Sequence, residues 1–273
     1  MNARLVGVLC ALLTGSPVLA ADLYPVQEAP PVAVAPIAGG WYLRGDIGYA
    51  FTDLRGAHYY QGPGRYVRDF DKADLDDTWT GGIGVGYRAT EHLRADFTID
   101  HLGKSDFSGS TSGSCGVATY CTSRDISSMT AWSLMANAYV DIATWGRFTP
   151  YVGAGIGGTR VKWDKLKNTS CETGNSGNCD GTVEHGGKES WRFTYALMAG
   201  TAIDITCNLQ ADVGYRFRHV MGGDMFGEKW HGGPGSDKGI YVHEARAGLR
   251  YNFGDCEQAV YVPPVPVEQP VYK

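Results

Sequence analysis

A chain of 273 residues has room for one large domain or two ordinary ones. Its 24 Lys and Arg against 29 Asp and Glu give a net charge of −5, which excludes the basic footprint of a nucleic-acid binder. Only 19 % of residues are charged, while 38 glycines, 16 tyrosines and 7 tryptophans suit β-structure better than helix.

Residues 1–20 read as an export signal: Arg4 is the positive start, Leu5 to Leu13 the apolar core and Val18-Leu19-Ala20 the small-residue cleavage site. Cleavage is expected after Ala20, with Ala21 as the alternative. The apolar run is too short for a spanning helix, and the bulky Val8 and Leu9 before Cys10 argue against a lipid-modified cysteine. Loss of Arg4 leaves 24 − 1 = 23 basic residues against 29 acidic ones, so the mature chain is modestly acidic. Residues 21–40, with Pro25, Pro30, Pro31 and Pro36, form an extended polyproline-type arm.

Eight alternating stretches follow between residues 41 and 253. Side chains point to opposite faces of an extended chain with a period of two. Trp41 to Phe51 sets Trp41, Leu43, Ile47, Tyr49 and Phe51 against Arg44 and Asp46. Trp79 to Arg88 sets Trp79, Ile83, Val85 and Tyr87 against glycines and Arg88, and His92 to Asp100 sets Leu93, Ala95, Phe97 and Ile99 against Arg94, Asp96 and Asp100. Met129 to Ile142 places Trp132, Leu134, Val140 and Ile142 opposite Asn137, Tyr139 and Asp141. Phe148 to Val161 places Val152, Ala154 and Ile156 opposite Tyr151 and three glycines. Trp191 to Asp204 sets Phe193, Tyr195, Leu197 and Ile203 against Arg192 and Asp204. Asn208 to Arg218 sets Leu209, Val213, Tyr215 and Phe217 against Asp212, Arg216 and Arg218. Gly239 to Phe253 closes the set, with Leu249, Tyr251 and Phe253 opposite Glu244, Arg246 and Arg250. Beyond Gly254 a second arm, 254–273, carries Pro263, Pro264, Pro266 and Pro270.

The gaps between the strands alternate long and short. Residues 52–78, 102–128, 162–189 and 220–238 read as long polar loops and the other three gaps as tight turns. A meander with that rhythm collects the long loops at one end. No later run reaches the roughly 18 apolar residues of a spanning helix: Ala131 to Ile142 is broken by Asn137 and Asp141. The fold class expected is therefore all-β, an eight-stranded antiparallel up-and-down transmembrane barrel with two Pro-rich arms. A soluble lipocalin-like barrel has the same strand number. Charges of both signs on the polar face, aromatics at strand ends and long loops on one side favour the membrane form.

The signal followed by A-D-L-Y-P, the first strand W-Y-L-R-G-D-I-G-Y, the run P-Y-V-G-A-G-I-G-G and the closing A-G-L-R-Y-N-F carry a resemblance. Over residues 21–253 the chain resembles the small alphaproteobacterial outer-membrane β-barrel family of porin-like surface antigens, with an OmpA-type transmembrane domain. The resemblance implies a bacterial outer-membrane location, lipid and lipopolysaccharide as surroundings, and the barrel-assembly machinery as a partner. The chain departs from that family by continuing past Phe253, where members usually stop at the final aromatic.

Few constellations point to chemistry. Gly153 to Gly158 satisfies G-x-G-x-x-G, but it lies inside a strand with no helix to follow, so it reads as inward glycines making room in a narrow lumen. The polar faces supply Arg44, Asp46, Arg88, Arg94, Asp96, Asp100, Asp204, Asp212, Arg216, Glu244, Arg246 and Arg250. An eight-stranded barrel is just wide enough for side chains, so these charges must pair or bind water. A salt-bridge plug is the expectation, and a narrow ion path the alternative.

Without Cys10, six cysteines remain in an exported chain, which favours disulfides over zinc. Topology favours Cys115 with Cys121, Cys171 with Cys179, and Cys207 with Cys256, with cross-pairing between the second and third loops left open. Some members of the resembling family bind haem, and His58, His185 and His231 lie in stretches read as loops. Solvated loop histidines are the favoured reading, and no cofactor is expected. Asn168-Thr169-Ser170 matches a glycosylation acceptor and reads as a loop signal. The function expected is a structural, non-catalytic surface protein. The alternatives are a receptor or adhesin that uses its loops to bind a host molecule or haem, or a narrow diffusion channel.

Overall fold

The computed structural model describes residues 40–61, 64–229 and 232–254. The expected signal, almost all of the N-terminal arm and the tail beyond Gly254 lie outside them. Eight long strands form the wall: β1 (Gly40–Leu54), β2 (Thr78–Arg88), β3 (Leu93–Ser110), β4 (Cys121–Asp141), β5 (Phe148–Trp163), β6 (Glu189–Asp204), β7 (Leu209–Phe226) and β8 (Gly232–Asn252). Each pairs antiparallel with the next, and β8 pairs with β1 from Tyr42↔Asn252 to Leu54↔Ile240, closing the ring. Closure leaves the ring without a free edge, the condition a sheet must meet to cross a bilayer. No helix among the described residues is long and apolar enough to cross one.

The turn ends are tight for a local chemical reason. Thr90 Oγ1 accepts the backbone N–H groups of His92 and Leu93, and Thr206 Oγ1 accepts those of Asn208 and Leu209. In both turns the hydroxyl takes up strand-end donors that the bend leaves free.

Trp41, Leu43, Ile47, Trp79, Ile83, Phe97, Ile156, Leu197, Val213, Leu249 and Tyr251 all stand on the outer surface. Arg44, Asp96, Arg216, Glu244 and Arg250 are buried. A soluble barrel would reverse that pattern, so the outer wall is built for an apolar solvent. Aromatics mark both margins. Trp41 packs edge-on to Tyr87 with ring centroids 5.3 Å apart, and Tyr49 packs likewise on Trp79 at 5.3 Å. From Trp41 to Phe51 is roughly 33 Å of strand, or about 25 Å of height at the tilt such barrels adopt.

The strands overrun that belt at the long-loop end, which corrects the loop boundaries expected from sequence. β3 continues to Ser110, β4 begins at Cys121, β7 runs to Phe226 and β8 starts at Gly232. Seven short strands add to the crown: Ala57–Gln61, Tyr66–Asp69, Lys72–Leu75, Ser112–Gly113, Leu166–Glu172, Asn175–Cys179 and Val183–His185. These stretches looked like loops because, above an apolar belt, the outer face meets water and carries Ser, Thr, Asp and Lys.

The crown also has an apolar interior. Leu54, Leu75, Leu102, Phe107, Met129, Val161, Trp163, Leu166, Met225, Phe226, Ile240 and Val242 form one buried cluster. Phe107 packs edge-on to Trp163 at 5.7 Å, and Trp163 on Phe226 at 5.4 Å. The barrel thus has two storeys, charged within the belt and apolar above it.

Candidate functional site

The inward faces of β1, β3, β7 and β8 bring most of the expected charge set together. Arg44 binds Asp46 at 2.7 Å and Asp96 at 3.0 Å, and Arg246 links Asp46 at 3.1 Å to Asp100 at 3.4 Å. Arg216 joins Asp100 at 3.0 Å to Glu244 at 2.6 Å, and Arg218 also donates to Glu244. Four guanidinium groups therefore meet four carboxylates in one continuous chain of ion pairs. Arg94 pairs with Asp141 at 3.1 Å and Arg250 with Asp212 at 3.4 Å. Removed from water, such charges are tolerable only when balanced and hydrogen-bonded. The eight groups of the continuous chain are both, while Arg94 Nη1 and Nη2, Asp212 Oδ1 and Arg250 Nε are balanced in charge without a hydrogen bond of their own.

Neutral groups complete the network. Asn137 Nδ2 donates to Asp96 at 2.8 Å, Tyr42 OH to Asp96 at 3.1 Å, and Arg44 Nη1 to Tyr139 OH at 3.0 Å. The Arg94 guanidinium lies 4.1 Å from the Tyr139 ring centre and 4.6 Å from that of Tyr151, in cation–π range.

The inward glycines are the complement of these side chains. A Cβ on Gly153 would strike the Tyr139 ring, one on Gly155 the Asn137 amide, and one on Gly86 the Tyr42 ring. The G-x-G-x-x-G run thus provides room in the lumen, as its place in a strand implied. The void left among Arg44, Asp46, Tyr139, Tyr151, Asp212 and Arg246 measures about 10 Å³. That is room for about one water.

Two members of the expected set sit elsewhere. Arg88 and Asp204 line a cavity of about 130 Å³ at the short-turn end, where Gln210 Nε2 donates to Asp204 at 2.5 Å. Four partners were missing from that set. Arg192, Arg218 and Asp141 fall on the polar faces by simple alternation, so parity alone could have found them. Asp237, which binds Arg192 at 2.6 Å, lies in a stretch read as loop.

Above the apolar storey the crown opens into a cup of about 850 Å³. Tyr59, Phe70, Leu166 and Phe226 line it, with Asp125, Asn168, Ser170 and His185 among the polar groups. Asn168 belongs to a strand and not to a loop, a correction to its reading as a loop signal, and its amide donates to Asp125 at 2.6 Å. His58 lies on the short strand Ala57–Gln61, while His231 lies outside the described residues. Disulfides join Cys115 to Cys121 and Cys171 to Cys179 in the crown, as expected. Cys256 lies outside the described residues, and with it the third expected pair.

A family profile described as "Outer membrane protein beta-barrel domain" matches residues 8–253. An uncharacterized protein of Brucella abortus (strain 2308) is 38% identical over 282 residues, covering 90% of this chain and 96% of that protein. A putative adhesin of Rickettsia conorii (strain ATCC VR-613 / Malish 7) is 28% identical over 221 residues, covering 78% and 82%. Among solved structures, the outer membrane protein OprG from Pseudomonas aeruginosa is similar with TM-score 0.49 at 13% identity, covering 78% of this chain and 96% of that one. The outer membrane protein AlkL, solved in lipid bilayers, is similar with TM-score 0.43 at 17% identity, covering 83% and 96%.

Proposed function

The chain belongs to the outer-membrane β-barrel protein family, and from that premise we propose that it is a non-catalytic surface protein with a plugged lumen and a binding crown. It resides in the bacterial outer membrane, with lipid and lipopolysaccharide around its belt. The observation that carries the plug is the void of about 10 Å³ left inside the ion-pair network. A hydrated ion needs a continuous path several times that size, and the largely apolar storey above, whose buried charges Arg192 and Asp237 are bound to each other, adds a second barrier. The charges act as ties between β1, β3, β7 and β8 and fix their register from within.

Long loops of such barrels face the exterior and short turns the periplasm, so the crown and its cup are the surface offered to other molecules. The cup, together with the adhesin name given to the Rickettsia relative, favours a receptor or adhesin role over a purely structural one. The channel alternative is tested in planar lipid bilayers. Purified, folded protein is expected to insert without discrete conductance steps. Reproducible steps at neutral pH would contradict the plug.

A further inference from the structure

Among the described residues, buried acids follow a rule with one exception. Asp46 and Asp96 meet Arg44, Asp100 and Glu244 meet Arg216, Asp141 meets Arg94, Asp212 meets Arg250 and Asp237 meets Arg192. Asp125 on β4 is equally buried, at 1% exposure, yet no cation pairs with it among the described residues. Its oxygens accept only from neutral donors, Ser123 Oγ at 2.6 Å and Asn168 Nδ2 at 2.6 Å. A carboxylate out of water and held by dipoles alone carries uncompensated charge. Asp125 is also the buried acid that lines the open cup.

The other charges nearby are engaged or exposed. Lys238 holds Asp69 at 2.9 Å, Ser112 donates to Asp71 at 2.6 Å, Arg68 and Lys229 are exposed, and His185, the imidazole of the same cup, has its Nδ1 3.2 Å from the Gly227 carbonyl. Asp125 also borders a second cleft that carries Lys104 and Lys165, taken by Asp106 and Glu184, and Arg124 and Lys167, whose side chains stand exposed to solvent. The cup has the volume of a small-molecule site, and its aromatic and aliphatic surfaces suit the stem of an amphiphilic cation. A hard divalent ion would need six or more oxygens, and no group of three His, Cys, Asp or Glu gathers for one among the described residues.

We infer that the cup binds an alkylammonium or alkylguanidinium group with Asp125 as its counter-charge. The group comes from a free polyamine or from a Lys or Arg side chain of an extracellular polypeptide. This site rests on the reading that the crown faces outward. The amine donates to the carboxylate in place of the arginine that every other buried acid has, and its stem lies against Tyr59, Phe70, Leu166 and Phe226.

The test is calorimetric titration of folded, detergent-extracted protein with cadaverine, agmatine and a short capped lysine peptide, with 1,5-pentanediol as the neutral counterpart of cadaverine. Saturable binding of a cation and none of the diol is expected. Asp125→Asn should weaken that binding roughly ten- to hundredfold, the scale of one charge-assisted hydrogen bond, while Asp71→Asn on the rim leaves it nearly unchanged. Binding of the peptide alone assigns the cation to a polypeptide, and binding of the small amines alone to a polyamine. Failure of all three cations to bind, or equal binding by Asp125→Asn, overturns the site. The same samples are run boiled and unboiled on a gel, where a folded barrel shifts in mobility. A barrel that shifts but does not bind sinks the cup proposal and leaves the surface-protein reading intact.

Discussion

Glu244 concentrates the interior electrostatics at a single side chain. It is fully buried and accepts hydrogen bonds from both Arg216 and Arg218, while Arg216 reaches on to Asp100. Replacing it by Gln removes the carboxylate that Arg216 and Arg218 share and leaves Arg216 with Asp100. Breaking a buried pair from one side costs about 3–5 kcal/mol. Glu244→Gln is therefore expected to lower the temperature of the boiled-gel transition markedly, and an unchanged midpoint would contradict the network's role as a tie. Asp125 behaves in the opposite way. Burial pushes its carboxyl above the ordinary carboxylate range, although its bonds from Ser123 and Asn168 pull in the other direction. The folded protein then holds this proton more tightly than the unfolded chain does. Its contribution to stability is present below the ordinary value of about 4 and is lost as pH rises through the folded value. Without bound cation, Asp125→Asn should match the parent in acid and exceed it at neutral pH in gel-transition midpoint. A variant less stable than its parent at pH 7 would refute that assignment.

On β5 the period of two separates two kinds of small residue. Ala154 faces outward among the lipid-facing side chains, while Gly155 faces inward against the Asn137 amide. Ala154→Leu should be accommodated with little change in folded yield. Gly155→Leu must displace Asn137, and overpacking of that kind costs about 1–3 kcal/mol, so a clear loss of heat-modifiable protein is expected. Equal tolerance at both positions would show that the lumen is loosely packed. This alternation was legible in the residues of all eight strands, because within the belt one face meets lipid and the other meets charge. Above the belt it was not. There Asp106 and Ser108 face water while Phe107 faces inward, and a bulge between Leu102 and Ser105 shifts the parity of β3, so that Leu102 and Phe107 both point in. A stretch polar outside and interrupted by a bulge reads as loop, which is why the apolar storey went unseen. The local disulfide pairs were legible because partners six and eight residues apart sit in one crown segment each. Asp125 gave no sign of its isolation, since the lack of an arginine neighbour is a property of the folded cup alone.

The molecule as a whole inverts the usual solvent relation within its belt and restores it in its crown. Trp41 is 60% exposed while Arg216 is 1% exposed, a distribution that makes sense only if the outer wall meets acyl chains. On the function proposed above, the charged storey ties the strands together from inside, the apolar storey seals it from above, and the cup stands on that seal as the surface open to the exterior. All of this depends on the direction in which the two faces of β7 and β8 look. Electron paramagnetic resonance of nitroxides placed singly at Asp212, Val213, Arg246 and Leu249 in liposome-embedded protein measures it directly. Labels at 213 and 249 should collide preferentially with lipid-soluble oxygen, while those at 212 and 246 are shielded from oxygen in the bilayer. Labels at 213 and 249 shielded in the interior, with those at 212 and 246 facing bulk water or lipid on the outer wall, would contradict that orientation.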